Sequence, residues 1–326
     1  MESMIQTLAR ELGQKEQYVE NVVKLLDDGN TVPFIARYRK EMHGTMDDQT
    51  IRRLADRLAY LRGLEERRME VQHAIESQGK LTAELAAAIA AAQTLAALDD
   101  LYRPYRPKRR TRASIAREKG LEPLAAAITA ARNTSPVLEA LAKPYIHPEK
   151  GVETAETALA GAGDIIAEDL SDDAALRGRL RALLHRTGVL RTAGTDENDT
   201  VYTMYHDFAE PLRHLQSHRV LAVNRGEKEG KLKVTLDADE SEAVAAVTRT
   251  LLHPKNPYRD FLRAICTDCW RRLLFPSLER ELRSELTDAA NEQAIRTFAL
   301  NLRPLLMQPP VRGRVTLGFD PAYRTG

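Results

Sequence analysis

Cysteine is nearly absent: Cys266 and Cys269 are the two in a chain of 326 residues. A disulfide-stapled scaffold is thereby excluded, and a reducing, cytoplasmic location is expected. The opening Met1-Glu2-Ser3-Met4 shows no basic region leading into an apolar run, so no secretory leader is expected. No apolar run reaches the ~18 residues that a membrane span needs, so no membrane partner is expected. A charge excess is missing too. Lys and Arg number 48 against 47 Asp and Glu, a net of +1. That excludes a uniformly basic nucleic-acid coat and an acidic tail, so any positive surface must be local. Aromatics make up only 5% of residues. The motifs that announce chemistry are also absent. There is no G-x-S-x-G elbow, no phosphate loop of the G-x-x-x-x-G-K-[ST] type and no H-E-x-x-H. Cys266 and Cys269 form a lone C-x-x-C without the second pair a structural zinc site needs, so they read as packing residues. No catalytic residue, cofactor or metal is expected.

What is present favours helix. Ala, Leu, Arg and Glu recur, and apolar residues fall at helical spacing almost throughout. The expected fold class is mainly α: a multi-part, elongated helical assembly with an amino-terminal helix-turn-helix-like unit and one small β element. Residues 1–80 read as that first unit. Ile5, Leu8 and Leu12 share one helix face, ended by Gly13. Tyr18, Val22, Leu25 and Leu26 make the next. Thr31 is placed to cap a short third helix with Pro33 in its first turn and Phe34, Ile35 and Tyr38 as its apolar face. Asp47 caps a longer helix carrying Ile51, Leu54, Leu58 and Leu61 and continuing through Val71 and Ile75 to Gly79. The outline is that of a helix-turn-helix, which many structural proteins share; it fits a DNA reader less well than a three-helix packing unit with a solvated Arg/Lys edge.

Residues 81–193 read as helical around a basic connection. Ser114 is placed to cap a helix after it. Within 194–238, three runs suggest strands: Val201 to Met204, Arg219 to Asn224 and Lys231 to Leu236. Gly226 and Gly230 suggest a hairpin between the last two. Residues 239–308 return to helix, with Pro304 expected to kink or end the last one. Residues 309–326 read as the first strand of a further domain, Val315 to Phe319, with Asp320 at its end.

The sharpest local feature is Leu101-Tyr-Arg-Pro-Tyr-Arg-Pro-Lys-Arg-Arg-Thr-Arg112, which contains no acid. Pro104 and Pro107 forbid continuous helix, so Arg103, Arg106, Lys108, Arg109, Arg110 and Arg112 sit on a turned connection. With Tyr105 between them, they form a candidate strip for phosphates and base stacking. Arg37, Arg39 and Lys40 form a second candidate group. The alternative is structural: arginines in such a connection can clamp helices through carboxylates, and Asp99 and Asp100 stand just before it.

Several long segments together resemble the bacterial Tex family of transcription accessory proteins. They are Thr31-Val-Pro-Phe-Ile-Ala-Arg-Tyr-Arg-Lys-Glu41, Tyr105-Arg-Pro-Lys-Arg-Arg-Thr-Arg-Ala113, Ala116-Arg-Glu-Lys-Gly-Leu-Glu-Pro123 and His218-Arg-Val-Leu-Ala-Val-Asn-Arg-Gly-Glu227. Gly318-Phe-Asp-Pro-Ala-Tyr-Arg-Thr-Gly326 looks like the opening of the family's RNase H-like (YqgF-type) domain. The resemblance implies the amino-terminal part of a longer protein that continues into helix-hairpin-helix elements and an OB-fold. It implies a non-enzymatic factor that binds RNA or DNA with little sequence preference and works beside the transcription machinery. Two other classes stay open: a nuclease whose RNase H-like domain begins at Asp320, and a protein-interaction platform on transcription or translation machinery.

Overall fold

Helix starts follow their caps. The computed structural model describes residues 3–44, 46–107, 110–132, 136–196, 201–309, 312–315 and 317–319. Ser3 and Gln6 exchange capping bonds at the start of α1 (Met4–Leu12), and Gly13 closes it at φ 63°. Then come α2 (Glu16–Asp27), α3 (Val32–Tyr38) and α4 (Lys40–His43). The Thr31 hydroxyl, expected to cap α3, makes no such bond; Pro33 supplies the helical start instead. Asp47 accepts the Thr50 N–H at 2.7 Å and caps α5 (Asp48–Glu76). At ~1.5 Å per residue this helix is roughly 43 Å long. Its first half packs Ile51, Leu54 and Leu58 against Leu8, Val19, Val22 and Ile35. Its second half packs Leu64, Val71 and Ile75 against Ile89 of α6 (Ala83–Ala91) and Leu98 of α7 (Leu95–Tyr102). One long helix thus carries two small cores end to end.

The largest core is built by α8 (Arg112–Glu118), α9 (Glu122–Ala130), α10 (Leu138–Ala142), α11 (Ala155–Ser171) and α12 (Ala174–Thr187), with elements later in the chain. α11 is its axle. Ala158, Ala162, Ile165, Ile166 and Ala167 are all buried. Small residues let neighbours come close: a Cβ on Gly161 would stand 2.4 Å from Leu121 Cδ1. Asp173 caps α12 by accepting the Leu176 N–H at 2.7 Å.

The β element is one antiparallel sheet of β1 (Val189–Gly194), β2 (Asp207–Pro211) and β3 (Leu232–Asp237), ordered β2-β1-β3. Leu190 faces Glu210 on one side and Leu236 on the other. Only the Lys231 to Leu236 run becomes the expected strand. Val201 to Met204 is instead a bend entering a 3-10 turn, Thr203–Tyr205, with Tyr202 buried. Arg219 to Asn224 lies in helix, within α13 (Ser217–Lys228). An unbroken apolar block does not distinguish strand from buried helix by period alone. Here Val220 and Val223, three apart, are buried, and a Cβ on Gly226 would meet Leu232 at 2.6 Å. The expected hairpin glycine Gly226 therefore serves a helix–sheet contact.

α14 (Glu240–Leu251) starts at Asp239, whose carboxylate accepts the Ser241 and Glu242 N–H groups. α15 (Arg259–Cys269) runs through a π-helical turn, Trp270–Leu274, into α16 (Phe275–Leu306). Cys266 and Cys269 lie inside the core. Cys269 donates to the Ala167 carbonyl at 3.2 Å, and burial pushes its thiol up to about 12. Pro304 does not end α16, which continues to Leu306. Val315 and Leu317 to Phe319 are exposed and belong to no strand of the described residues; Thr316 and Asp320 lie outside them. Among the described residues, no helix is long and apolar enough to cross a membrane.

Candidate nucleic-acid interface

α7 ends at Tyr102, two residues before Pro104, with Arg103 still in helical backbone. Pro104 turns the chain into a 3-10 turn, Arg103–Tyr105, and Pro107 keeps its predecessor Arg106 in extended backbone. The chain re-enters helix at α8, where Thr111, not Ser114, is the cap. Thr111 Oγ1 accepts the Ser114 N–H at 2.9 Å, and Ser114 Oγ accepts the Thr111 N–H at 2.8 Å. The basic connection is thus pinned at both ends. Gln78, just past α5, adds a third tie by donating to the Tyr105 carbonyl at 2.9 Å.

The side chains of the strip divide into two groups. Arg103 turns inward and pairs with Asp172 at 3.3 Å. Burial, with the nearby charge of Arg177, pulls its guanidinium below the ordinary value. Tyr105 packs against the small core of α5 to α7. The others turn outward. Arg106 is exposed, 5.9 Å from the Tyr102 ring centroid, while Arg67 lies 5.6 Å from the same ring. Arg67 is itself held by Asp99 at 2.9 Å. Arg112 is exposed with no carboxylate partner among the described residues. Arg110 meets Glu118 at 3.4 Å, with both side chains mostly in solvent, so the pair restrains it weakly. Lys108 and Arg109 lie outside the described residues.

Neither Asp99 nor Asp100 clamps a strip arginine in the described ion pairs. Asp100 belongs to a buried network that sequence reasoning missed. Its carboxylate accepts from Arg177 Nε at 2.6 Å and from Arg181 Nη2 at 2.9 Å. Arg177, with no exposed side-chain surface, also donates to Ser277 and Glu281. Arg181 reaches Glu281 at 2.9 Å. Burial pushes Glu281 up, but the Arg181 hydrogen bond and the two arginine charges outweigh it and hold the carboxyl below its usual range. This cluster ties α7 to α12 and α16 directly behind the strip. Its one signal in the sequence was an acid at a helix end beside basic residues. The two carboxylate partners of Arg177, Asp100 and Glu281, lie 77 and 104 positions from it.

The second group sits on α3 and α4. Arg37, Arg39 and Lys40 are exposed and have no carboxylate partner among the described residues. The structure corrects the expected apolar face of α3. Ile35 is fully buried, with Val32 and Ala36 packed beside it, but Phe34 and Tyr38 turn to solvent. Val32, Ile35 and Ala36 make the buried stripe, and Phe34 and Tyr38, four apart, border it on the side that meets solvent. The two groups stand at opposite ends of α5. α3 packs on its first half, and the strip comes after α7, which packs on its second half.

Comparison with known proteins fits this architecture. Residues 2–76 match the model of the Tex-like protein N-terminal domain, and residues 131–298 match that of the Tex central region-like family. The chain is 45% identical over 340 residues to protein Tex of Bordetella pertussis, covering 99% of this chain and 43% of that protein. It is 42% identical over 330 residues to transcriptional accessory protein Tex of Neisseria gonorrhoeae, covering 98% and 43%. It is 29% identical over 341 residues to S1 RNA-binding domain-containing protein 1 of Homo sapiens, covering 99% and 34%. The chain spans less than half the length of these relatives. The resemblance carried by the Thr31 to Glu41, Tyr105 to Ala113 and His218 to Glu227 segments is therefore a true kinship, and the chain belongs to the Tex-like family.

Proposed function

We propose that this chain supplies the helical scaffold of a non-enzymatic transcription accessory factor and gives it a phosphate-binding surface with little sequence preference. The observation behind this reading is the outward group Arg106, Arg110 and Arg112, held on a pinned connection in a protein of almost no net charge. Concentrated positive charge without strong carboxylate partners attracts phosphates and releases counterions. Lys108 and Arg109 extend the strip by sequence, and Arg37, Arg39 and Lys40 add a second group. Arg103 and Tyr105 serve better as the strip's fixings, because each is already engaged by the protein. The names of two relatives, a transcriptional accessory protein and an S1 RNA-binding domain-containing protein, support a nucleic-acid role. A protein-docking role rests on a different feature: the end of α16 exposes Ile295, Phe298, Leu305 and Leu306.

The test is a salt titration of RNA binding by the chain and by its Arg106→Ala/Arg110→Ala/Arg112→Ala variant. Each lost phosphate contact should flatten the slope of log K against log salt by about 0.7 on single strands, roughly 2 for three contacts. Thermal stability should barely change. Unaltered affinity and slope would reject the strip, and no binding by the parent chain would reject the reading.

A further inference from the structure

We propose that Phe34 and Tyr38 form a base-stacking platform for single-stranded nucleic acid, with Arg37, Arg39 and Lys40 holding its phosphates. The proposal rests on the nucleic-acid reading above and names a particular site for it. α3 has a complete inner face without these rings, since Ile35 is 0% exposed and Val32 and Ala36 pack beside it. Phe34 nevertheless stands 37% exposed and Tyr38 64% exposed, beside that buried stripe. Leaving a large apolar side chain in water forgoes burial that folding would otherwise use. Two such rings adjoin on one helix face, their centroids 5.3 Å apart and tilted by 43°.

The surroundings indicate what the rings are suited to bind. Arg39 places its guanidinium 5.6 Å from the Phe34 centroid, a cation over an aromatic face. Guanidinium planes and aromatic rings are the two surfaces on which unpaired bases stack. Arg37 and Lys40 adjoin the rings in sequence, are exposed, and have no carboxylate partner among the described residues. Within 31–44 the single acid is Glu41, against three such cations. Two adjacent π surfaces bordered by free positive charge complement a strand whose bases are splayed and whose backbone is anionic. A duplex hides its base faces and leaves the rings nothing to stack on. A protein partner with an acidic, apolar surface is the competing occupant. It has weaker support, because three cations within four residues outnumber what one apolar anchor needs.

The experiment uses the whole chain and a short single-stranded RNA carrying 2-aminopurine, whose fluorescence falls on stacking. Binding should quench the probe. Phe34→Ala/Tyr38→Ala should weaken binding by about tenfold or more and abolish the quench, while leaving the salt slope unchanged. Tyr38→Trp should retain binding, and its new indole should be quenched by the RNA, against a buried Trp270 that is not. Arg37→Ala/Lys40→Ala should do the reverse of the ring change, flattening the salt slope while keeping the quench in the bound fraction. Tyr38→Ala alone removes mostly solvated surface, so it keeps the test valid should the double variant unfold. Equal affinity for an abasic RNA would overturn the platform. So would wild-type affinity and quench in the ring variants while the Arg106/Arg110/Arg112 variant loses binding, an outcome that leaves the broader reading standing. Failure of the parent chain to bind any RNA would remove both. If the ring variants keep RNA affinity and instead lose a purified acidic protein partner, the platform is a protein dock and the proposal is wrong.

Discussion

Arg112 occupies the first position of α8, in a first turn without any acid. The amino end of a helix carries partial positive charge, so a cation there is unfavourable for the helix by about 0.3–1 kcal/mol. Local stability therefore gives no reason for arginine at this position, whereas phosphate binding does. Arg112→Glu should raise the unfolding midpoint slightly in a thermal melt and weaken RNA binding at the same time. Stability and affinity moving in opposite directions separates a binding residue from a clamp. Parallel losses would place Arg112 with Arg103, whose partner Asp172 already occupies it. The two arginines differ by nine positions in the same basic run, yet only the fold says which one faces water.

At the scale of elements, the decisive feature is the ionic cluster between α7, α12 and α16. Asp100 is 5% exposed and Arg177 is fully buried. Removing one member of such a set leaves the others charged without compensation, which costs about 3–5 kcal/mol. Asp100→Ala should accordingly lower stability by that order in urea unfolding, well beyond what a surface acid such as Asp99 would do. The cluster also imposes a pH dependence. The Glu281 carboxyl titrates below its ordinary value near 4.5 in the folded state. Its contribution is fully present above the ordinary carboxylate range and disappears as pH falls through the lower folded value. Glu281→Gln should thus be less stable than the parent at neutral pH, with the gap narrowing as the solution is acidified. A gap that widens on acidification would contradict the assignment. Such a junction fixes the strip against the central core, so its loss should disturb RNA binding only as far as it disturbs folding.

For the molecule as a whole, α5 acts as a spacer. Leu54 packs in the core that seats α3, and Ile75 packs in the core that seats α7 and the strip. The 21 steps from one to the other measure roughly 32 Å at ~1.5 Å per residue. If both basic groups bind RNA as proposed, they are independent sites for a short oligonucleotide and linked sites for a long one. At about 3.4 Å of rise per nucleotide in a stacked strand, spanning them takes on the order of ten nucleotides. Affinity should rise steeply with RNA length across that range, through effective concentration rather than any new contact. Changing Arg37, Arg39 and Lys40 together to Ala should remove the rise while leaving short-RNA binding at the strip in place. A smooth, length-proportional increase in titrations would show that the two groups do not act on one strand.

Much of this protein was determined locally. Caps such as Ser3, Asp47, Asp173 and Asp239 satisfy orphan N–H groups within three residues of themselves, so helix starts are visible in short stretches of sequence. Proline geometry likewise made the 101–112 connection turned before any neighbour was known. The mainly α character and the family kinship were also legible, because both rest on many local residues agreeing. What only the tertiary structure decided lies where two local solutions were equally good. Arg219 to Asn224 is an apolar block that suits strand or helix; it folds within α13, whose Gly226 lets Leu232 and Tyr202 come so close that a Cβ there would stand 2.6 and 3.1 Å from them. Phe34 and Tyr38 fit an apolar face by composition, but α5 accepts only one stripe of so short a helix, and Ile35 took it. Arg103 and Arg106 are equivalent by sequence, and Asp172, 69 positions away from the first, separates them. Charge and apolarity are properties of residues, but which side of an element meets water is set by the partner packed against it.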